Sequence, residues 1–299
     1  MPELPEVTTT VRGLNAVLPR LTIKDVWTSY YIKTANKRKD NIKNKKFFEK
    51  FKKEIIGEKA LSAERRGKNV LIHLSGNKTI LIHMKMTGHF LYGKYDWDGS
   101  KWKSKEEFLS DSFNQFIRLI FTLSNGKHLA FSDMRKFAKV TLFETGKRNE
   151  ITDLSMLGPE PLENLSVRDF QKQLLKKPNG KIKTVLMDQS VVAGIGNIYS
   201  DEILWTAGVY PERKVSTLSP KEIKSMWMAM KKILVKSIKM GGDSMSDYRN
   251  IYGYKGNFQK AHKVYRKTKQ KCLKKGCRGI IERKIVGSRS AHFCNTHQK

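Results

Sequence analysis

The sequence predicts an α+β fold made of several domains, and four patterns along the chain support this class. Apolar residues recur at helical spacing at the start, and short apolar segments with turn signals then continue to about residue 145. Helical spacing returns in the middle third, and the basic tail contains every cysteine. We therefore expect domains at 1–145, 159–258 and 259–299, with a linker at 146–158.

The composition excludes several classes of protein. The chain has 299 residues, of which 39% are hydrophobic, so it can fill cores and is not expected to be disordered throughout. No apolar run reaches the roughly 18 residues that a membrane-spanning helix needs. The start, MPELPEVTTT, lacks a secretory signal, and three cysteines are too few for a disulfide framework. We expect a soluble protein of the cytoplasm.

The charge favours a polyanionic partner. The formal net charge is +31, and residues 260–299 hold 13 Lys or Arg against one acidic residue, Glu282. A phosphate backbone releases counterions when it meets such a surface, and this release favours association. A lysine-rich genome and an anionic membrane surface are the alternatives. The concentration of charge in the tail favours nucleic acid.

One amphipathic helix is predicted to open the chain. Pro5 suits its first turn. Its apolar stripe is formed by Val7, Val11, Leu14 and Leu18.

Strands are predicted from residue 19 to about 145. The clearest segments are 69–74, 79–84 and 117–123, with turn residues between the first two and after the third. Many short strands with turn signals are typical of a sandwich or a barrel. The polar stretch 95–111 is predicted to be a long loop.

Helices are predicted in the middle third. Ser166 with Asp169 resembles a capping box, and Ser219 with Glu222 is a stronger helix start. Gly241 and Gly242 are expected to end the second helix. Its stripe predicts core packing rather than a cofactor site: Ile223, Trp227, Met230, Leu234 and Ile238.

The turn Gly194–Asn197 separates two helical patterns, which indicates a unit similar to a helix-turn-helix. Such a turn presents backbone N–H groups and the Asn197 amide to a phosphate. Lys183 lies close enough in sequence to support the same contact. A plain glycine turn between two core helices is the alternative, which the spacing alone does not exclude.

The tail has the spacing of a structural zinc site. Cys272 and Cys277 form one close pair, Cys294 and His297 another, and sixteen residues between them suit a hairpin. A short basic segment buries too little apolar area to fold alone, and zinc binding supplies on the order of 10 kcal/mol. Three unrelated thiols are the alternative. His292 is the alternative nitrogen ligand, but it precedes Cys294, where a closing turn would not place it.

Arg289 lies at the expected tip of the tail hairpin, in the run Gly287–Ser290. A planar guanidinium there can clamp a phosphate or enter a duplex groove. A solvated charge is the alternative.

The amino terminus offers a nucleophile. Pro2 is small enough for Met1 to be removed, which would leave a secondary amine that is partly neutral at physiological pH. Attack of this amine on a sugar C1′ would give an iminium that promotes elimination of phosphates. Glu3 could act as acid or base, and Glu6 lies one helical turn further on. A helix-capping start without chemistry is the alternative.

Three motifs together resemble the formamidopyrimidine-DNA glycosylase (Fpg/Nei) family: PELPEV at 2–7, GIGN at 194–197 and the C-terminal finger. LGPEPL at 157–162 extends the resemblance over essentially the whole chain. It implies an N-terminal β-sandwich, a helix-two-turn-helix domain and a zinc finger, with damaged double-stranded DNA in the cleft between the lobes. It also implies a monomeric glycosylase and AP lyase of base excision repair, in which the N-terminal proline expels the base and cleaves the strand by β,δ-elimination.

The resemblance implies roles for matching residues. Pro2 is the nucleophile, and Glu3 is the acid or base that assists opening of the sugar ring. Lys68 is a phosphate clamp near the reacting nucleotide. Glu6 is a supporting residue, and Glu202 matches a glutamate behind the active site.

DNA contacts are also implied. His83 matches a phosphate contact. Met86 would fill the gap left by a flipped nucleotide, Arg135 would pair with the orphaned base, and Phe137 would wedge into the stack, which recovers part of the cost of base extrusion. Three more residues would bind the kinked backbone: Lys183, Asn197 and Arg289.

The sequence departs from the family pattern in two places. The family finger commonly has four cysteines with two residues between the first pair, whereas here four residues separate Cys272 from Cys277 and His297 takes the last position. A Cys3His set is still a good zinc site, so one structural zinc ion is expected. Thr8 replaces a common glutamate outside the catalytic pair.

Position 4 is similar to the branch of the family that removes the oxidised purines 8-oxoguanine and formamidopyrimidines. This sequence has Leu4 there, whereas the endonuclease VIII branch usually has glycine. The residues Met86, Arg135 and Phe137 agree, and a lesion-capping loop would fall within 249–261. The alternatives are an endonuclease VIII-like glycosylase for oxidised pyrimidines, a catalytically inactive zinc-finger DNA-binding protein and a zinc-finger RNA-binding protein.

Overall fold

The computed structural model describes residues 1–30 and 41–299, which divide into two compact units. The N-terminal unit contains residues 1–155 and 241–257, and the C-terminal unit contains the remainder, 156–240 and 258–299. The sequence-based boundaries differ here, since they placed 241–257 with the helical domain. Part of the predicted strand region, 31–40, lies outside the described residues.

The N-terminal unit is a β-sandwich with two helices. Two four-stranded antiparallel sheets have the orders β1-β8-β9-β5 and β10-β4-β3-β2. The helices are α1 (Leu4–Val17) and α2 (Lys45–Ile55), and the strands are β1 (Ile23–Thr28), β2 (Ala60–Arg66), β3 (Asn69–Leu74), β4 (Lys78–His83), β5 (His89–Gly93), β6 (Tyr95–Trp97), β7 (Trp102–Ser104), β8 (Ile117–Leu123), β9 (His128–Ser132) and β10 (Lys139–Glu144).

The main core lies between the two sheets and receives the apolar side of α1. Phe90 and Phe131 pack edge to face in one sheet with their ring centroids 4.8 Å apart. Val70 and Ile82 face them from the other sheet, and Leu14 of α1 is fully buried in the same unit. The predicted opening helix, the pair β3–β4 and the strand β8 are all present, which confirms the sandwich.

Helix α2 was not predicted, because this part of the chain was expected to form strands. Asn44 caps the helix by accepting a hydrogen bond from the N–H of Phe47 over 3.1 Å. Phe48, Phe51 and Ile55 follow at helical spacing and are buried. The helical period is thus present in the sequence, among lysines that obscure it.

The stretch 95–111, expected to be a long loop, contains the antiparallel pair β6–β7 and a short 3₁₀ helix. Trp97 opposes Trp102 in register. Trp27 of β1 contacts both rings, with centroid distances of 5.4 and 6.1 Å. Aromatic packing on the outer face of the sheet therefore orders a segment that looks polar in the sequence.

The C-terminal unit is helical and ends in a β-hairpin. Ser166 caps α4, Ser219 and Glu222 form a capping box on α7, and Gly241, in the left-handed region at φ 78°, follows the end of α7. Among the described residues, no helix has the length and apolarity needed to cross a membrane. The elements are α4 (Val167–Leu175), α5 (Ile182–Met187), α6 (Asn197–Ala207), α7 (Pro220–Lys239), β11 (Glu282–Val286) and β12 (Arg289–Phe293), after the short α3 (Thr152–Ser155) of the N-terminal unit.

Candidate active site and metal centre

The three predicted N-terminal residues are buried at the start of α1, where Glu3 is the N-cap. Pro2, Glu3 and Glu6 are all buried. Glu3 and Glu6 form a capping box, in which the backbone N–H of Glu3 donates to Glu6 Oε2 over 2.7 Å. Glu6 Oε1 accepts the backbone N–H of Asp243 over 2.7 Å. Both oxygens of Glu6 therefore bind backbone donors, which suits a supporting role.

Lys68 and His83 lie at one end of the sheet that contains β3 and β4. Lys68 follows Gly67 in the tight turn before β3, where Gly67 takes φ 57°, and it is 5% exposed. Burial, and then the nearby ammonium groups of Lys85 and Lys68, lower the pKa of His83 from 6.5 to about 3. His83 is therefore neutral at physiological pH.

The tautomer of His83 follows from one hydrogen bond. The backbone N–H of Lys85 donates to His83 Nδ1 over 3.0 Å. Because Nδ1 accepts, the proton of the neutral ring lies on Nε2. His83 can therefore donate to an anion such as a phosphate oxygen.

The structure brings together Met86, Arg135 and Phe137, which come from two different loops. Arg135 Nη1 lies 2.9 Å from Met86 Sδ. Its guanidinium lies over the Phe137 ring at 4.4 Å from the centroid. Met86 and Phe137 are 43% and 46% exposed. A thioether, a guanidinium and an aromatic ring thus form one exposed cluster, which suits insertion into a base stack.

Asp133, to which the sequence analysis assigned no role, organises the two loops of this cluster. Its side chain is fully buried and accepts from Thr87 Oγ1, from Tyr30 Oη over 2.8 Å and from the backbone N–H of Ala138 over 3.0 Å. Thr87 Oγ1 in turn accepts the N–H of Arg135 over 3.1 Å. An aspartate directly after an apolar strand was the available signal.

Lys183 was predicted to contact a phosphate, but its side chain is buried in an ion pair. Its side chain has no accessible surface, and its ammonium lies 2.5 Å from Asp201 Oδ1. Asp201 Oδ2 accepts from both the backbone N–H and Nδ1 of His292, over 3.0 and 2.9 Å. The prediction of a direct phosphate contact by Lys183 is therefore wrong in this structure, because the ammonium is fully enclosed. Its ion pair joins α5 and α6, and Asp201 continues the link to β12.

Asn197 and Arg289 are placed as expected within the C-terminal unit. Asn197 is the first residue of α6, after a turn in which Gly194 has φ 90°. Arg289 is exposed and begins β12, after a turn in which Gly287 and Ser288 have φ 56° and 61°. Gly287 packs so closely on Thr184 of α5 that a Cβ would lie 2.3 Å from it. The hairpin tip is thus held against α5.

Glu202 binds backbone groups of its own unit. It is buried, and its carboxylate accepts the N–H groups of Lys263, Val264 and Tyr265 over 2.9–3.0 Å. These contacts show that Glu202 orders the chain that leads into the tail.

The four predicted metal ligands converge. The ligand atoms of Cys272, Cys277, Cys294 and His297 all lie within 4.8 Å of one another. The Cys277 and Cys294 sulfurs are 3.7 Å apart, and Cys272 Sγ is 3.4 Å from His297 Nδ1. Tetrahedral zinc with Zn–S bonds of about 2.3 Å separates two sulfurs by about 3.8 Å. The geometry therefore fits a tetrahedral metal ion.

Trp205 supports this site from α6, and other contacts keep His292 out of it. The indole N–H of Trp205 donates to Cys272 Sγ over 3.4 Å. The backbone carbonyl of Trp205 lies 3.1 Å from His297 Nε2. Burial lowers the pKa of His297, which favours the neutral imidazole that a metal requires. His292 binds Asp201 instead, so His297 is confirmed as the histidine of the cluster.

Comparisons with known proteins agree over both units. A family profile described as the formamidopyrimidine-DNA glycosylase N-terminal domain matches residues 1–140. The profile of the formamidopyrimidine-DNA glycosylase H2TH domain matches residues 157–249.

Curated relatives match along the full length. The chain is 36% identical to a formamidopyrimidine-DNA glycosylase of Pelotomaculum thermopropionicum over 301 residues, covering 100% of the chain and 99% of the relative. It is also 36% identical to that of Bacillus subtilis over 297 residues, covering 98% of each.

Solved structures show the same fold. A complex between Lactococcus lactis Fpg and DNA containing an abasic site aligns with a TM-score of 0.84 at 29% identity, covering 99% of each chain. The MutM (Fpg) protein from Thermus thermophilus aligns with a TM-score of 0.80 at 31% identity, covering 99% of this chain and 98% of that one.

Proposed function

Because the chain belongs to the formamidopyrimidine-DNA glycosylase family, we propose that it is a base-excision-repair enzyme that removes oxidised purines from duplex DNA. It acts as a bifunctional glycosylase and AP lyase, with the nitrogen of Pro2 as nucleophile. The proposal includes one structural zinc ion in the C-terminal unit.

The observation that carries the proposal is the burial of the residues that lead into α1. Pro2 and Glu3 are enclosed, and Glu6 fixes the backbone of Glu3. Met1 is 44% exposed, which leaves it accessible to removal. Buried carboxyl groups beside a helix start are costly unless they are bound, and here two of them lie next to or near in sequence to Pro2, whose nitrogen becomes an amine once Met1 is lost.

The chemistry proceeds by displacement at C1′. The lone pair of the Pro2 nitrogen forms a bond to C1′, and the C1′–N bond to the damaged base breaks with its electrons going to the base. The base takes up a proton equivalent to the one that the alkylated Pro2 nitrogen releases, and leaves neutral. Glu3 moves the proton that accompanies opening of the sugar ring. The resulting cationic iminium acidifies C2′, and loss of a C2′ proton breaks the C3′–O bond and expels the 3′ phosphate. Loss of a second proton, from C4′ of the unsaturated iminium, then breaks the C5′–O bond and expels the 5′ phosphate.

Binding of the DNA backbone falls to residues from both units. Lys68 supplies a positive charge and neutral His83 supplies the Nε2 proton to phosphates. Asn197 and Arg289 contact the backbone from the start of α6 and from the hairpin tip. Lys183 acts indirectly, by fixing α5 and α6 through Asp201.

The cluster of Met86, Arg135 and Phe137 occupies the space that an extruded nucleotide leaves. Extrusion costs a few kcal/mol of stacking and pairing. The exposed ring and guanidinium offset part of that cost by stacking, and their existing contact limits the entropy lost on insertion.

Zinc is the ion that the cluster of the tail favours. Three thiolates and one imidazole are ligands that zinc prefers, and the contact distances fit its tetrahedral geometry. Zinc there stabilises the chain that carries Arg289.

The proposal is tested by borohydride trapping on a duplex that contains one 8-oxoguanine opposite cytosine, followed by peptide mapping. We expect an adduct at the Pro2 nitrogen in chains that lack Met1, and none with an undamaged guanine duplex. An adduct at a lysine, or full activity in chains that retain Met1, would overturn the assignment of Pro2. Absence of both adduct and base release would overturn the proposed activity.

A further inference from the structure

Residues 241–257, the returning segment, join the N-terminal unit although they follow α7 in sequence. The segment binds the first turn of α1 directly. The N–H of Asp243 donates to Glu6 Oε1 over 2.7 Å, and Tyr248 Oη donates to the carbonyl of Glu6 over 2.9 Å. Glu6 Oε2 accepts the N–H of Glu3. The returning segment thus contacts the residue that fixes the N-terminal turn.

A second contact lies two turns further along α1. Ile251 is buried against Gly13, where a Cβ would lie 2.7 Å from Ile251 Cγ1. The carbonyl of Ile251 accepts the N–H of Tyr92 in β5 over 2.7 Å. The returning segment is therefore packed between α1 and the edge of a sheet.

Arg249 ties this segment to the rest of the sandwich. Its side chain is 1% exposed, and its Nε and Nη2 donate to the two oxygens of Asp111 over 3.0 and 3.1 Å. Nη1 donates to the carbonyls of Ser246 and Tyr248, each over 2.9 Å. The guanidinium lies 5.0 Å from the centroid of the Phe113 ring.

A guanidinium enclosed to this degree is costly to desolvate, so it persists only where its donors are bound. The planar fork of Arg249 holds one carboxylate and two carbonyls at fixed angles, which no lysine could do. Asp111 is itself held, because its Oδ1 accepts the N–H of Phe113 over 2.9 Å. Each member of the pair is therefore held by further hydrogen bonds.

We propose that Arg249 and Asp111 form a positioning pair for the active site, because they fix the returning segment that holds Glu6 and thereby the turn with Pro2 and Glu3. The inference rests on the proposed function for its catalytic consequence. Neither residue touches the reacting atoms. Their effect reaches the chemistry through the hydrogen bonds of Asp243 and Tyr248 to Glu6.

The test compares Arg249→Gln and Asp111→Asn with a control, Arg148→Gln, which breaks a more exposed ion pair of the same unit. Arg148 forms a bidentate pair with Glu64 in the same unit, over 2.9 and 2.7 Å, without contact to the returning segment. Three quantities are measured: amide hydrogen exchange at 3–10 and 242–252, the single-turnover rate of strand cleavage at a preformed abasic site, and Kd for a duplex with an uncleavable abasic analogue.

We expect faster exchange in both segments and a single-turnover rate lowered about 10- to 100-fold, since small misplacement of reacting groups has effects of this size. Kd is expected to stay near that of the control, and Arg249→Lys should recover part of the rate. Rates equal to those of Arg148→Gln, or a loss confined to Kd, would overturn the proposal.

Two outcomes need additional measurements: a variant that does not fold, and a wild-type protein that does not cleave DNA. If Arg249→Gln does not fold, Asp111→Asn, which preserves shape, and Gly13→Ala, which presses on Ile251, test the same path. If the wild-type chain cleaves no DNA, the proposed function is wrong. Hydrogen exchange alone then tests whether the pair of Arg249 and Asp111 fixes the N-terminal turn. Unchanged hydrogen exchange at residues 3–10 in Arg249→Gln would show that the pair does not fix this turn.

Discussion

His297 directs Nε2 at the backbone carbonyl of Trp205 over 3.1 Å, which turns Nδ1 towards the three thiols of the tail. The carbonyl thereby selects the tautomer and the ring orientation that a metal ligand needs.

Replacement of this ligand should release the metal. We expect His297→Ala to lose bound zinc and to lower the unfolding temperature of the tail, because metal binding supplies its folding free energy. His297→Cys should retain zinc, since it restores a common four-thiolate set. Zinc content by elemental analysis checks both. His292→Asn is the control, and loss of zinc in that variant would contradict the ligand assignment.

Neutral His83 should make stability depend on pH. Its folded-state pKa of about 3 lies below the unfolded value of 6.5, so its contribution is complete above pH 6.5 and is lost as the pH falls towards 3. We expect the unfolding free energy of the wild type to fall relative to His83→Asn, by up to about 1.4 kcal/mol per pH unit. Denaturant titrations at several pH values between 4 and 8 measure this slope. Parallel curves for the two proteins would refute it.

The buried pair of Lys183 and Asp201 should affect stability more than phosphate binding. We expect Lys183→Met to cost about 3–5 kcal/mol, because it leaves a buried carboxylate without its ion partner. Adding Asp201→Asn should recover part of the loss. Chemical denaturation measures both variants.

Arg289 provides the contrast in DNA binding. Arg289→Gln should weaken binding and lower the slope of log K against log salt by about 1, since one phosphate contact is lost. Folded Lys183→Met should retain the wild-type slope. A reduced slope in Lys183→Met would instead indicate that Lys183 contacts a phosphate directly.

The exposed cluster should matter most where a base must be extruded. We expect Phe137→Ala to slow excision of a paired lesion more than cleavage at a preformed abasic site, because extrusion costs a few kcal/mol that insertion partly offsets. The neighbouring Met134 is exposed to a similar degree, 43% against 46%, and Met134→Ala is the matched control. Equal losses on both substrates would contradict the role of Phe137.

Local patterns sufficed for much of the fold. The stripe of α1, the caps at Ser166 and Ser219 and each close pair of ligands in the tail involve residues within a few turns of each other, so the sequence alone predicts them. Helix α2 was not predicted, because lysines surround the apolar period that its buried residues form. The pair β6–β7 packs against Trp27, which is distant in sequence, so no local pattern predicts the contact.

The roles of charged residues were harder to predict than their positions. Lys183 was expected at a phosphate, yet it is enclosed because Asp201 of α6 faces it across a helix pair. Asp133 was overlooked because its partners, Thr87 and Tyr30, come from remote loops. Burial decides whether a charge serves a ligand or the fold, and burial depends on residues far away in the chain.

The amino-acid order by itself predicted the opening helix α1, the strand-rich region that follows it, the capped helices α4 and α7 and the set of metal ligands, because each depends on residue type and short spacing. Tertiary structure alone decided that residues 241–257 join the N-terminal unit and that Arg249 meets Asp111. The physical reason is that a contact between positions 138 residues apart has no local period. It exists only once packing removes the Arg249 guanidinium from water and makes its pairing obligatory.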